Sequence, residues 1–112
     1  MKFLMNKIAS WHEFTFDSTE EAQWLKLKEE ELEAQACERP EDWYKELADV
    51  FFVYAALVYR YKSEQAKTLF EAVWNTLAIY QRDRVYDELK AKFEINKNRT
   101  WEKQPDGTYH HV

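Results

Sequence analysis

The sequence predicts an all-α protein, a four-helix-type bundle in a single domain of residues 1–112. Two observations lead to this fold class. Turn-forming residues are nearly absent before residue 100, since the chain has only one glycine, Gly107, and two prolines, Pro40 and Pro105. Apolar residues also recur at intervals of three and four, which is the spacing of one face of an α-helix. With 46% hydrophobic residues, such helices can enclose one core.

The expected helices cover residues 2–14, 19–37, 40–61 and 63–98. A break at residues 16–18 ends the first helix, and Ser18 with Glu21 three residues later has the pattern of a capping box for the second. Pro40 suits the first turn of the third helix and disfavours helix in the residue before it. Ser63 is the expected N-cap of the last segment, which is either one helix or a helix with a further one after it.

The end of the chain, residues 101–112, is expected to be a less regular tail. Pro105, Asp106 and Gly107 form a turn signal there, and little regular structure is predicted around it. The adjacent His110 and His111 are more typical of a polar tail than of a metal site.

Charge and cysteine content argue against several classes of protein. A formal net charge of -5 disfavours a protein whose main task is to bind nucleic acid, because that task needs a basic surface. Cys37 is the single cysteine, so neither an internal disulfide nor a thiolate zinc site is expected. No segment approaches the ~20 apolar residues that span a bilayer, and residues 1–8 lack the pattern of a signal peptide. We therefore expect a cytoplasmic protein that binds neither nucleic acid nor a membrane.

Three glutamates of the second helix are predicted to point inward. On a helical wheel of about 100° per residue, Glu29, Glu30 and Glu33 fall between two apolar edges. The opposite sector, which can face water, contains Trp24, Lys28, Glu31 and Gln35.

The third helix repeats this pattern. Residues 47–59 are apolar on all sides apart from Asp49, which is typical of a buried helix, and Glu46 lines up with its apolar residues. Each of the two helices thus presents carboxylates at a spacing of three, Glu30 with Glu33 and Glu46 with Asp49. Antiparallel packing through the short connecting loop would bring the two pairs together.

Clustered carboxylates in an apolar site indicate a bound cation. They repel one another and lose hydration, at several kcal/mol per uncompensated ion, so that a positive partner is required. Oxygen ligands favour Mg²⁺, with Mn²⁺ as a possible substitute. A di-iron site would need a histidine three residues after a glutamate, and the chain has none. A solvated acidic face remains the alternative interpretation. Two inward-facing pairs argue against it more strongly than a single pair would.

Two motifs follow one another in this helical chain. Residues 29–33, EEELE, and 46–49, ELAD, fit the pattern EExxE followed by ExxD, and residues 92–99, KFEINKNR, fit K-x-x-I-N-x-x-R. In this order they resemble the all-α nucleoside triphosphate pyrophosphatases of the MazG-like group. The resemblance implies magnesium-dependent hydrolysis of a (deoxy)nucleoside triphosphate to the monophosphate and pyrophosphate, in nucleotide-pool house-cleaning.

The resemblance also implies a role for individual residues. The Mg²⁺ ligands would be Glu30, Glu33, Glu46 and Asp49. Glu29 and Glu30 would be the catalytic residues, with Glu29 supporting the site or orienting the attacking water. The triphosphate and sugar would meet Lys92, Asn96 and Arg99. Trp11 and His12, in an aromatic segment before the second helix, would line the base pocket, or else belong to ordinary core packing.

Aromatic content predicts a homo-oligomer, a dimer or a tetramer. Five tryptophans, seven tyrosines and seven phenylalanines are more than a bundle of this size can hide. One internal core is not expected to hold all of the aromatics on the outward sector of the second helix and around the third, namely Trp24, Phe51, Phe52, Tyr54 and Tyr59. An isologous interface would cover them, and relatives in the group that the chain resembles assemble as dimers or tetramers.

Two other functions stay open at this point. One is a non-enzymatic helical interaction module with a structural or regulatory cation site. The other is a related helical hydrolase that acts on another phosphorylated nucleotide, such as phosphoribosyl-ATP or a diphosphate. The sequence does not specify the base or the sugar.

Overall fold

A computed structural model describes residues 1–112 and contains five α-helices, one π-helical turn and a two-stranded hairpin. The all-α class is therefore confirmed for most of the chain. No helix is both long enough and apolar enough to cross a membrane. The elements are α1 (Lys2–Thr15), α2 (Glu20–Gln35), α3 (Pro40–Ala55), the π-helical turn (Ala56–Arg60), α4 (Glu64–Thr76), α5 (Ile79–Lys97), β1 (Trp101–Lys103) and β2 (Tyr109–His111).

Helix α3 is the centre of the protein. It packs most extensively against α5 and α2, and most of its residues after Glu46 are buried. Pro40 occupies the first turn, as predicted, where its missing N–H has no intrahelical acceptor to lose. The following π-helical turn continues α3 to Arg60, so the predicted third helix matches the observed segment closely.

Two of the aromatic residues that were expected to need an interface are covered within one chain. Phe51 and Tyr54 are 0% and 3% exposed, and both contact Phe70 of α4. Trp24 does not point freely into water, because its indole packs against the core and donates a hydrogen bond to Glu20 at 3.0 Å. Residues that are covered within one chain do not require an interface with a second copy, and the oligomeric state stays a prediction.

The start of α2 differs from the expected capping box. Thr19, not Ser18, is the N-cap residue, and its hydroxyl accepts a hydrogen bond from the Ala22 N–H at 3.1 Å. Ser18 instead accepts one from the Gln23 side chain at 2.9 Å. The helix ends at Gln35, two residues before the expected end at 37.

Residues 63–98 form two helices with a break between them, which is the second of the two alternatives that the sequence left open. Ser63 caps α4 as predicted, by accepting from the Ala66 N–H at 3.1 Å. Leu77 and Ala78 then adopt extended backbone, with ψ of 138° and 161°. Neither proline nor glycine marks the break. Side chains stabilise it, because Gln81 accepts from the Ala78 N–H at 2.8 Å while buried Leu77 joins the core.

The tail is a β-hairpin, which corrects the prediction of little regular structure. Trp101 pairs with His111, and Lys103 pairs with Tyr109, in antiparallel register. The predicted turn is present: Gly107 has a φ of 88°, and Asp106 Oδ1 accepts from the Thr108 N–H at 3.0 Å and from its hydroxyl at 2.6 Å.

Candidate functional site

A cleft of about 370 Å³ opens where α2, α3 and α5 meet the hairpin. Its wall contains two chemically different parts. One part is ionic and is formed by Lys26, Glu29, Glu30, Glu33, Asp49 and Lys92. The other is mainly aromatic and includes Phe16, Phe52, Trp101 and Tyr109.

Three carboxylates from two helices converge in the acidic part. One oxygen from each of Glu30, Glu33 and Glu46 lies within 4.8 Å of the others. Glu30 is buried and Glu46 is half-buried, whereas Glu33 is exposed but still lines the cleft. Glu46 reaches this group from α3 without lining the cleft, and together with Glu33 it borders a neighbouring surface depression.

The acidic group contains unpartnered atoms. Oε2 of Glu30 and Oε2 of Glu46 are buried and accept no hydrogen bond. Burial, and then the nearby Asp49, raise the pKa of Glu30 to about 7. The pKa values of Glu46 and Asp49 are also raised, in each case mainly by burial. A buried acceptor without a partner costs about 1–3 kcal/mol, and a cation or a proton removes that cost. These oxygen donors fit a hard divalent cation such as Mg²⁺ or Mn²⁺.

Two lysines supply part of the missing positive charge. Lys26 Nζ lies 3.3 Å from Glu30 and 3.7 Å from Glu29 along the same helix. Lys92 Nζ lies 2.9 Å from Asp49 Oδ1. Asp49 therefore contacts a lysine rather than the three grouped glutamates. The sequence analysis missed Lys26, although its spacing of three and four from two of the glutamates is the ordinary signal of ion pairs on a helix.

The basic motif at the end of α5 lies on the same cleft. Lys92, Asn96 and Arg99 all line it, because spacings of four and three keep them on one side of a helix and its end. Asn96 is only 5% exposed. Its side-chain oxygen accepts from Arg99 at 3.3 Å, and its backbone oxygen accepts from the Trp101 indole at 3.1 Å. The three residues that the resemblance assigned to substrate thus face the carboxylates across one cavity.

Of the two aromatic-segment residues, His12 lines the cleft and Trp11 does not. The Trp11 indole makes edge contacts with Phe16, Phe52 and Phe93 and packs against the core, which favours the alternative of ordinary core packing. Helix periodicity places residue 11 on a different side of α1 from residue 12.

His12 is held neutral by its surroundings. Arg60 Nη1 lies 2.8 Å from its Nδ1 and donates to its backbone oxygen at 3.1 Å. Burial, and then the charge of Arg60, lower the pKa of His12 to about 3. Because arginine can only donate, Nδ1 is the acceptor and the proton of the neutral ring is on Nε2. The π-helical turn is what carries Arg60 back to α1.

Four hairpin residues complete the wall, namely Trp101, Tyr109, His110 and His111. His110 Nε2 lies 3.4 Å from Glu29 Oε1, which places Glu29 between a lysine and a histidine rather than in the grouped carboxylates. Sequence analysis assigned no role to these residues. Their approach depends on a long-range contact that no local spacing reports.

Comparison of the chain with models of protein families, with curated proteins and with solved structures gives no match.

Proposed function

We propose that this chain is a magnesium-dependent pyrophosphohydrolase that converts a nucleoside triphosphate to the monophosphate and pyrophosphate. The observation that carries the proposal is one cleft in which the buried carboxylate of Glu30, with an unpartnered oxygen, faces a row of cationic and amide groups along α5 and just beyond its end. Carboxylates alone would repel a triphosphate, and cationic groups alone would only bind one. Their combination matches the needs of phosphoryl transfer, which depends on positioning and on neutralising charge.

The carboxylates of α2 and α3 would hold the metal. Glu30, Glu33 and Glu46 converge closely enough to share one cation, and Asp49 lies beside them, paired with Lys92. Bound Mg²⁺ supplies Lewis-acid polarisation of phosphate oxygens and a more acidic water. Glu29 lies outside the converging group, next to His110, which suits a carboxylate that orients a water.

The cationic side of the cleft would bind the triphosphate. Arg99 presents a planar guanidinium that can pair with two phosphate oxygens, while Lys92 acts as a point charge. The buried amide of Asn96 fixes Arg99 at 3.3 Å and thereby orders the guanidinium before substrate arrives. Because Arg99 is already ordered, binding of the triphosphate costs less conformational entropy.

A direct assay tests the proposal. Purified protein is incubated with a panel of ribo- and deoxyribonucleoside triphosphates, with Mg²⁺ and with EDTA, and pyrophosphate and monophosphate are quantified. We expect both products in equal amounts from at least one nucleotide, only with metal. Release of orthophosphate, or cleavage only of phosphoribosyl-ATP or a nucleoside diphosphate when these are added to the panel, would identify a different helical hydrolase. No product from any nucleotide would leave a non-enzymatic cation-binding module as the better explanation.

We also propose that the active unit is a dimer or a tetramer. The supporting observation is a set of large apolar side chains that lie outside the core, and not the aromatic residues of α3. Phe3, Phe14 and Tyr80 are 77%, 95% and 65% exposed, and aromatics are enriched at protein interfaces.

A further inference from the structure

The hairpin presents one face to the body of the protein. Residues paired across an antiparallel ladder lie on the same face, and faces alternate along each strand. Trp101, Lys103, Tyr109 and His111 therefore share a face. The Trp101 and Tyr109 rings lie 5.3 Å and 4.6 Å from the ring of Phe16, which precedes α2. The contact joins the two ends of the chain across the cleft.

Further contacts fix the hairpin in this position. The Tyr109 hydroxyl donates to the Asp17 backbone oxygen at 3.2 Å, and Lys103 Nζ lies 3.6 Å from the Asp17 carboxylate. The turn approaches α2 so closely that a Cβ added at Gly107 would lie 3.4 Å from that of Ala22. The hairpin is therefore a fixed wall of the cleft rather than a free tail.

This wall is aromatic, and polar groups lie behind it. Phe16, Trp101 and Tyr109 line the cavity together with His12 and Gln23, which are 4% and 5% exposed. The neutral ring of His12 has a proton on Nε2, and Gln23 has an amide that can both donate and accept. Flat aromatic faces next to buried hydrogen-bonding groups suit a planar heteroaromatic ring, which has a π-face for stacking and polar atoms on its edge.

Helix α5 connects the aromatic wall to the acidic part of the cleft. Lys92 and Arg99 are separated by about 10 Å along the axis at 1.5 Å per residue, and Trp101 follows two residues later. A single ligand that runs along this helix would meet cationic groups first and aromatic rings next. Among anionic ligands, this order fits a phosphorylated nucleoside better than an inorganic polyphosphate.

We infer that the hairpin, with Phe16, forms the base-binding subsite of the cleft, so that the substrate class is nucleotides and not inorganic polyphosphates. The inference rests on the proposed function for the position of the phosphates. Trp101 and His111, which lie 6.2 Å apart across the ladder, are the hairpin residues that select the base-bearing ligand.

Calorimetric titration of the full chain with two Mg²⁺-loaded probes tests this inference. One probe is a panel of nucleoside triphosphates with a methylene group between the α- and β-phosphorus atoms, and the other is inorganic tripolyphosphate. The variants are Trp101→Leu, which keeps apolar bulk, and His111→Ala, at an exposed position that the fold tolerates. Glu102→Ala is the matched control, because Glu102 is exposed on the same hairpin and does not line the cleft.

We expect each cleft variant to weaken binding of the preferred nucleotide by about tenfold, as for the loss of one base-stacking contact. Tripolyphosphate affinity should change by less than about twofold, and Glu102→Ala should bind like the wild type. Equal weakening of both probes, or no weakening in either variant, overturns the inference. If circular dichroism shows that Trp101→Leu does not fold, His111→Ala alone decides the question.

These titrations, read together with the product assay on nucleoside triphosphates, separate the two proposals. If the wild type cleaves nucleotides and both variants bind them normally, the proposed function stands and the base-binding subsite is rejected. If the wild type binds nucleotide far more tightly than tripolyphosphate but releases no pyrophosphate, the subsite stands and the proposed hydrolase activity is rejected. Binding of neither probe rejects both.

Discussion

Lys92 on α5 and Asp49 on α3 form the shortest ion pair in the acidic part of the cleft, at 2.9 Å between Nζ and Oδ1. Both side chains are 23% exposed, so the pair is partly shielded from water. Lys92 opposes the effect of burial on the pKa of Asp49 and favours the ionised carboxylate. One lysine thus connects the carboxylates of the candidate metal site to the candidate phosphate site.

Replacing Lys92 by methionine is expected to affect both stability and substrate affinity. Asp49 would lose its partner in a partly buried site, which lowers the free energy of unfolding by about 1 kcal/mol. The apparent affinity for triphosphate should fall at least tenfold, since a charged contact to phosphate is lost. Urea unfolding and substrate titration measure the two effects. Lys90→Met, at an exposed position on the same helix, is the control. Unchanged affinity in Lys92→Met would remove this residue from the site.

Two carboxylate substitutions are expected to stop turnover but to differ in their effect on stability. Glu46→Gln removes a charge whose Oε2 has no hydrogen-bond partner, so repulsion falls and the metal-free protein should gain about 1 kcal/mol. Asp49→Asn breaks the ion pair with Lys92 and should show no such gain. Thermal unfolding in EDTA and steady-state turnover in saturating Mg²⁺ measure both properties.

Asp83→Asn serves as the control for these carboxylates, because Asp83 is exposed on α5 and lies outside the cleft. Near-normal turnover of Glu46→Gln or of Asp49→Asn would contradict the assignment of that residue to the metal site.

Acid should destabilise the folded protein through His12. Its pKa of about 3 in the folded protein is below the ordinary value of 6.5 for histidine, so the unfolded chain binds the extra proton first as pH falls. Stability from neutral His12 is therefore complete above about pH 6.5 and is lost progressively down to about pH 3, at about 1.4 kcal/mol per pH unit.

The variant His12→Gln isolates this effect, because it cannot titrate and its amide oxygen can still accept from Arg60. Between pH 7 and pH 5, wild-type stability should fall by about 2 kcal/mol relative to the variant, as measured by urea unfolding. Parallel pH curves for the two proteins would show that His12 is not held neutral.

Light scattering after size exclusion tests the oligomeric state. At micromolar concentration we expect a mass at least twice the 13.7 kDa of one chain. Phe14→Lys should shift the mass toward one chain, since it places a charge at a side chain that is 95% exposed and has no role in the core. Glu13→Gln, at the neighbouring exposed position, should not. A wild-type mass of one chain would contradict the prediction.

Sequence reasoning succeeded where local spacing determines position. The period of a helix placed Glu30 on the inner side of α2 and Glu46 beside the apolar side of α3, and a short loop brought the two helices together. Lys92 and Asn96, which the resemblance assigned to substrate, lie four residues apart and therefore on one side of α5. Each of these placements depends on residues within a few turns of one helix.

Prediction from the sequence failed where the position of a residue depends on contacts between distant parts of the chain. The hairpin reaches the cleft because Trp101 and Tyr109 pack on Phe16, and the break at Leu77 has no proline or glycine to signal it. Glu33 lies near the end of α2 and is exposed although its carboxylate converges with those of Glu30 and Glu46, which a helical wheel does not show. Asp49 lies near the glutamates, as its effect on the pKa of Glu30 shows, but spacing does not report its contact with Lys92.

Phosphorus NMR of the reaction products tests the central claim most directly. Wild-type protein and Glu46→Gln are each incubated with the nucleoside triphosphate that the panel selects, in Mg²⁺ and in EDTA. The account predicts monophosphate and pyrophosphate in equal amounts, without orthophosphate, from the wild type in Mg²⁺ alone. Orthophosphate with diphosphate as the products, or equal rates for wild type and Glu46→Gln, would contradict it.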